Sequence, residues 1–182
     1  RVALLTRAHP RESGEALARE ATLDLSGALL TDWEQAALGQ LSVFRGSFCA
    51  DALDEVLDLS AYPLASWPIH CVQSLVEPSL VQASGDERFI LLAPIHHYAA
   101  RKLEQQGGRA AAESRHGQWF AHLGSPEALE ALHHHGSPAR WKRLRLDTPN
   151  LGAACQRAVL RHDPETALAT MAALLVGLED HG

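Results

Sequence analysis

The chain has 182 residues, of which 46% are apolar and 21% charged, and its formal net charge is −6 with a pI near 6.0. This balance is typical of a soluble globular protein with one ordinary domain or two small ones. The negative net charge argues against a general nucleic-acid or anionic-membrane surface, and no apolar run reaches the roughly 18 residues that a membrane span needs.

The three cysteines, Cys49, Cys71 and Cys155, are far apart and form no C-x-x-C pair. That pattern favours a reduced, cytoplasmic compartment and inert thiols in helical cores. The first residues lack the apolar core of a signal peptide. Because the chain starts at Arg1 and its one methionine is Met171, we expect it to be a piece of a longer protein.

The first elements in chain order are helical. Residues 16–30 are rich in Ala and Leu, which predicts a connector helix. Thr31 followed three residues later by Glu34 is a capping-box pair, and it predicts the start of a helix over about 32–43. A second short helix is predicted over 50–59, with leucine and valine on its buried side.

The next segment predicts a third helix and then a hairpin. Pro68 suits the first turn of a helix, because its missing amide proton has no partner there in any case, and Pro78 ends that helix. Two short apolar runs, 80–81 and 89–92, flank a polar turn, which is a β-hairpin signal. Residues 94–106 predict a further helix, ended by two glycines.

Residues 31–92 therefore predict the order helix, helix, helix, strand, turn, strand, which is the order of a winged helix. The sharp corner at Arg45-Gly46 is the first turn between its helices. The fold predicted for the whole chain is mainly α, with the winged helix followed by antiparallel helical pairs of the tetratricopeptide type.

Everything beyond Gly108 is predicted to be helical, and most of the helices begin at a proline. In the last helix, apolar residues repeat at 3-4-3 spacing and form a seam that suits a neighbouring helix: Leu168, Met171, Leu175 and Leu178. The predicted helices are 110–123, 126–135, 138–146, 148–162 and 164–179.

The segment "ATLDLSGALLTDWEQAALGQLSVFRGSFCADALDEVL" resembles a stretch of bacterial STAND-class signalling ATPases. The segments "VQSLVEPSLVQ" (72–82), "RFILLAPIHHYAARKL" (88–103) and 147–168 resemble the same proteins in the same order, so the similarity covers nearly the whole chain. The amino-acid sequence of these segments is similar to that of large myxobacterial transcriptional regulators, some of which carry a Ser/Thr protein kinase upstream.

The resemblance implies a cytoplasmic switch in which a P-loop module holds the nucleotide and the winged helix docks on it. The implied domains are a connector from the upstream NTPase module (1–30), the winged helix (31–107) and the start of the helical repeats (108–182). ATP or ADP belongs to the upstream module. No G-x-x-x-x-G-K-[ST] occurs here, so we expect no cofactor and no catalytic residues in this fragment.

In related switches a Met-His-Asp motif comes before the helix after the wing, and its histidine approaches the nucleotide phosphates. The aligned residues here are Leu91, Leu92 and Ala93, and His96 stands where nearer relatives have Arg. The resemblance marks these four residues as an interdomain, nucleotide-proximal junction, and the departure from the motif argues against direct nucleotide sensing by them.

Winged helices often bind DNA, usually through the third helix. From Trp67 to Ala83 there is no Lys or Arg, and only Gln73 and Gln82 are candidate readers of bases. DNA binding needs cations for phosphate contacts, so the sequence argues against it.

Eleven histidines suggest a metal, but His133, His134 and His135 are consecutive on a predicted helix and point in different directions. We therefore expect no metal site.

The run "RWKRLRL" is the one concentrated positive stretch. Its simplest interpretation is a solvated face or a set of partners for nearby acids. The first alternative is a docking patch for an acidic protein segment, and the second is a nucleic-acid contact. The four cations are Arg140, Lys142, Arg143 and Arg145.

The sequence therefore predicts a non-catalytic regulatory fragment that couples a nucleotide switch to a helical sensor array. Its expected partners are the upstream NTPase domain and the downstream repeats of the same chain, with a protein or ligand on the repeats, no DNA and no membrane. Two alternatives stay open: a DNA-binding winged-helix regulator and a helical-repeat scaffold for protein interactions.

Overall fold

A computed structural model describes Gly27 and residues 29–179, with no side-chain description for Glu179. The predicted connector over 1–30 therefore lies almost wholly outside the described residues. The fold is mainly α, as predicted, with one small antiparallel sheet. The helices are α1 Asp32–Leu41, α2 Ala50–Val56, α3 Pro68–Val76, α4 Ala93–Gln105, α5 Arg109–Ala121, α6 Pro126–Glu130, α7 Ser137–Leu160 and α8 Pro164–Glu179; the strands are β1 Phe48–Cys49, β2 Gln82–Ser84 and β3 Arg88–Ile90.

The capping box at the start of α1 is confirmed. The Thr31 hydroxyl accepts a hydrogen bond from the Glu34 amide at 3.4 Å, and the Glu34 carboxylate accepts one from the Thr31 amide at 2.9 Å. These two bonds satisfy amide groups that a helix start leaves without partners.

The corner after α1 is held by the long helix α7. Gly46 has a φ of +78°, which an L side chain rarely adopts, and it lies close to the Pro149 ring. One residue earlier, the Arg45 amide donates a hydrogen bond to Asn150 Oδ1 at 2.6 Å. The corner therefore contacts residues of α7 that lie about 100 positions later in the chain.

The predicted hairpin is present, but its first strand begins later than expected. The amides of Leu80 and Val81 both bond to the carbonyl of Leu75 at 3.0 Å, so they cap α3 and are not available to a sheet. Strand β2 starts at Gln82 and pairs with β3. A third strand, β1, pairs with the other edge of β3 and was not predicted.

The predicted break between helices 138–146 and 148–162 is wrong, because α7 continues through Pro149. A proline inside a helix removes one backbone hydrogen bond and normally kinks or ends the helix. Leu144, Asp147 and Leu151 are all buried, and their spacing places them on one face of the helix. Burial of that face on both sides of Pro149 outweighs the local stop signal.

The predicted helix 126–135 is also shorter than expected. The α-helix ends at Glu130, a 3-10 turn covers Ala131–His133, and Gly136 with a φ of +86° leads into α7. His134 and His135 therefore lie in a turn and not on a helix.

Helices α7 and α8 form an antiparallel pair joined by three residues. Cys155 lies near Ala167, with 3.7 Å between Sγ and the carbonyl oxygen, and Leu144 lies against Gly177 near the other end. As the residue number rises along α7, its contact on α8 falls, which is the signature of an antiparallel pair.

Helix α8 is apolar on both faces. Ala173 and Gly177 are buried against the rest of the fold. The opposite face carries the predicted seam, and nothing in the described part of the chain covers it. The exposed fractions along the seam are 72% for Leu168, 43% for Met171, 54% for Leu175 and 54% for Leu178. A helix that is apolar all round is typical of one that is packed on both sides.

One hydrophobic cluster includes residues from both sides of position 107, where the resemblance places a domain boundary. Phe44 stacks on Phe48 at 4.5 Å between ring centroids, and it meets Phe120 of α5 edge-on at 6.3 Å. Trp33, Trp119 and Trp141 are partly buried and pack against this cluster. The sheet, the first helices and α5 to α8 therefore share one core.

Replacing Gly124 with alanine is expected to destabilise the fold by roughly 1–3 kcal/mol or more, because a Cβ there would stand 1.7 Å from the Ala169 carbonyl oxygen of α8. Helix α8 would have to move away to make room. Chemical denaturation measures the change. Gly152→Ala is the control, because nothing lies within 4 Å of that site inside α7. That change should be neutral or stabilise by about 0.5–1 kcal/mol. Equal effects at both glycines would contradict the close approach.

Candidate interdomain site

The four residues of the predicted junction lie at the start of α4, but only part of the group faces outward. Leu91 is buried in the core, whereas Leu92 is 43% exposed and Ala93 is also exposed. His96, one turn into the helix, is half-buried. Leu92 and Ala93 thus form a small outward surface, and His96 lies behind it.

His96 is held between the corner and α4. Its Nε2 atom lies 3.1 Å from the Phe44 carbonyl oxygen and 3.2 Å from Nη1 of Arg45. Burial, and then the charge of Arg45, lower the pKa of His96. The ring is therefore neutral near pH 7, since its pKa starts from an ordinary value of about 6.5.

A cleft of about 720 Å³ opens beside His96. That volume is in the range of pockets for small molecules, about 300–1,000 Å³. The α4 side of the cleft includes Pro94, His97 and Arg101. The other walls come from the corner after α1, from α5 and from α7, through Arg45, Arg109, Glu113 and Arg157.

The Glu113 carboxylate forms ion pairs with three arginines, from α5 and from the C-terminal end of α7, beside the cleft. Glu113 Oε1 lies 2.9 Å from Nε of Arg109 and 3.2 Å from Nε of Arg157. Its Oε2 atom lies 4.0 Å from Nη1 of Arg161. Arg109 also pairs with Glu104 at 3.0 Å. Arg45 lines the same cleft. We call the following four arginines and two glutamates the arginine cluster: Arg45, Arg109, Arg157, Arg161, Glu104 and Glu113.

A buried ion pair ties β3 to α7. Nη2 of Arg88 lies 2.5 Å from Asp147 Oδ1, and the two side chains are 5% and 2% exposed. Arg88 also donates to the hydroxyl and the carbonyl of Ser47, each at 2.8 Å. Burial raises the pKa of Asp147, and Arg88 opposes that rise. The pair fixes α7 against the sheet.

Further hydrogen bonds join α7 to the chain around the corner. Asn150 donates from Nδ2 to the Ser47 carbonyl at 2.8 Å, and Arg157 donates to the Val43 carbonyl at 2.7 Å. His116 is buried between these elements, with its Nε2 atom 3.5 Å from Asn150 Oδ1. Burial lowers the pKa of His116 to about 3.

The basic run on α7 is engaged mainly within the chain. Lys142 pairs with Asp86 at 2.7 Å, and Arg143 pairs with Asp51 at 3.1 Å. Arg140 donates to two backbone carbonyls, and Arg145 is exposed. These contacts fit the interpretation as partners for nearby acids, and the docking patch stays a prediction.

The outward face of α3 carries no cation. Its exposed residues are His70 and Gln73, with Glu77 directly after the helix. The exposed residues of α3 thus include no Lys or Arg that could contact a phosphate group.

Within the described residues, no group of three or more His, Cys, Asp or Glu side chains is placed to hold a metal ion. Cys71 and Cys155 are buried and Cys49 is half-buried. Burial raises the pKa of the Cys71 thiol, which makes it a poorer nucleophile. None of the described helices is both long and apolar enough to cross a membrane.

Sequence reasoning missed the arginine cluster and the Arg88–Asp147 pair. The ion pairs between α5 and α7 and between β3 and α7 join residues that are tens of positions apart, so no local spacing indicates that these elements meet. Comparisons of the chain with protein-family models, with curated proteins and with solved structures found no match.

Proposed function

We propose that this chain is a non-catalytic coupling segment of a STAND-type signalling ATPase. Residues 31–107 act as a winged helix that docks on an upstream nucleotide-binding module, and residues 108–182 begin a helical sensor array. The order of elements supports this: α1, α2 and α3 are followed by the β2–β3 hairpin and α4. The winged helix and the tetratricopeptide-like pairs follow from the resemblance together with that order.

The observation that carries the proposal is the joint packing of the two segments. Arg88 with Asp147, and Asn150 with the corner, fix α7 to the sheet and to α1. A displacement of the docked winged helix would therefore move α7 and α8 with it. A segment built in this way transmits a change at one surface to the other through two-state docking.

Two outward surfaces fit the two sides of such a coupler. One is the junction at Leu92 and Ala93, which we propose faces the upstream module. The other is the seam on α8, which we propose packs against the next helical repeat of the same chain. An a/d-type apolar stripe is the pattern that suits a helix as partner.

The test compares labelled ADP binding by this segment with binding by a longer protein that extends upstream through the NTPase module. We expect only the longer protein to bind. In that protein, Leu92→Asp should speed ADP release, because it places a charge in the docked junction. The variant should fold normally, since Leu92 is the N-cap residue of α4 and Asp is favoured there.

Leu64→Asp is the matched control, because Leu64 is 91% exposed and lies outside the junction. It should leave ADP release unchanged. If the longer protein binds no nucleotide, the coupling function fails. The exposed seam of α8 then favours the second candidate, a helical scaffold for protein interactions, and the cation-free face of α3 disfavours DNA binding.

A further inference from the structure

The arginine cluster has more positive than negative charge. Three guanidinium groups, from Arg109, Arg157 and Arg161, pair with the two carboxylates of Glu104 and Glu113, and Arg45 adds a fourth positive charge beside the same cleft. Arg45 has no carboxylate partner in the described part of the chain and contacts the neutral ring of His96. The local excess is therefore about two positive charges.

Part of this positive charge is buried, although Arg45 is exposed. Arg161 is not part of the cleft lining, and both of its terminal nitrogens are buried and have no hydrogen-bond partner among the described residues. Arg157 is partly buried, and burial lowers its pKa; the Glu113 charge opposes that fall, whereas the charges of Arg45, Arg109 and Arg161 add to it. Like charges held together in this way favour an added anion.

Two of the arginines that line the cleft, Arg109 and Arg157, are held in place by other residues of the chain. Arg157 is fixed by Glu113 and by the Val43 carbonyl, and Arg109 is fixed between Glu104 and Glu113. Because these side chains are already ordered, an incoming anion would lose little affinity to their ordering. A guanidinium group can also donate two parallel hydrogen bonds to two oxygens of one phosphate group.

We propose that this cleft binds a small ligand that carries a phosphate group. A phosphate monoester has about −1.5 to −2 charge near pH 7, which matches the excess of the cluster. The cleft of about 720 Å³ also has room for the organic part of a small molecule beside Pro94 and Val43. The site lies on this segment itself, so the inference does not depend on the upstream nucleotide module or on the proposed coupling function.

Binding of glycerol 3-phosphate to the 182-residue chain tests the proposal, by calorimetry and by the shift of the melting temperature. Inorganic phosphate, citrate and sodium chloride at matched ionic strength are the comparison solutes. We expect saturable binding of glycerol 3-phosphate, weaker binding of inorganic phosphate, and no saturable effect of chloride. Saturable binding of citrate alone would overturn the phosphate assignment, and an equal response to chloride would overturn the site.

Three variants locate the binding. Arg45→Gln should weaken it about 10-fold, because a charge-assisted hydrogen bond is lost at an exposed residue that the core does not need. Lys142→Gln removes the same charge away from the cleft and should leave affinity unchanged. Glu113→Gln removes the competing carboxylate and should strengthen binding. Equal affinity in Arg45→Gln and the unchanged chain would overturn the proposal even if Glu113→Gln fails to fold.

Discussion

Replacing Arg88 with methionine is expected to lower the free energy of unfolding by about 3–5 kcal/mol. The change removes the main partner of the Asp147 carboxylate, which stays buried with Arg143 at 4.0 Å and the Asn150 side chain beside it. It also removes the two hydrogen bonds to Ser47. A buried charge without a partner retains its desolvation cost and loses the attraction that offset it. Denaturation of the variant and of the unchanged chain in guanidinium chloride measures the difference in the free energy of unfolding.

Lys142→Met is the matched control for that change. The Lys142–Asp86 pair is short but both side chains are 58% exposed, so its loss should cost less than about 1 kcal/mol. The double variant Arg88→Met with Asp147→Leu should be more stable than Arg88→Met alone, because it removes the orphaned carboxylate. A cost below 1 kcal/mol for Arg88→Met would show that the pair does not hold α7 in place.

The second large effect concerns pH. His116 has a pKa of about 3 in the folded chain, against an ordinary value of about 6.5. Between these values the unfolded chain binds more protons at this position than the folded chain does. The free energy of unfolding therefore falls as the pH falls from about 6.5 towards 3, by up to about 1.4 kcal/mol per pH unit.

His116→Gln should remove that part of the pH dependence. We expect its free energy of unfolding to fall by about 2–3 kcal/mol less than that of the unchanged chain between pH 7 and pH 4.5. Any constant packing cost, such as the loss of the ring contacts with Phe44 and Phe120, is the same at both pH values and cancels. Other titrating groups, Asp147 and His96 among them, contribute to both proteins.

His70→Gln is the control for the pH experiment, because His70 is exposed on α3. Its pH dependence should follow that of the unchanged chain. Parallel curves for all three proteins would mean that His116 is not held neutral by burial.

The features that the sequence predicted correctly depend on neighbouring residues. Thr31 and Glu34 are three positions apart, and the cap they form needs nothing from elsewhere in the chain. The prolines at 68, 94 and 164 likewise lie in the first turn of a helix, as expected from their missing amide protons.

The features that the sequence missed depend on distant residues. Pro149 was expected in the first turn of a new helix that begins at 148, but the burial of Leu144 and Leu151 on either side of it keeps α7 continuous. Strand β1 has only two residues, too few for an alternating pattern, and it exists because Phe48 lies opposite Phe89. The cleft is formed by arginines from α5, from α7 and from the corner, and local sequence spacing does not predict that these elements lie together.

The contacts between the corner and α7 have a consequence for how the chain acquires its structure during synthesis. The Arg45 amide bonds to a residue 105 positions later, and the Val43 carbonyl to one 114 positions later. While α7 is still inside the ribosome, the corner, Ser47 and Arg88 lack the partners that α7 supplies. We therefore expect a nascent chain that stops before α7 to expose this apolar and charged surface, and to need shielding from aggregation until about residue 160 has emerged.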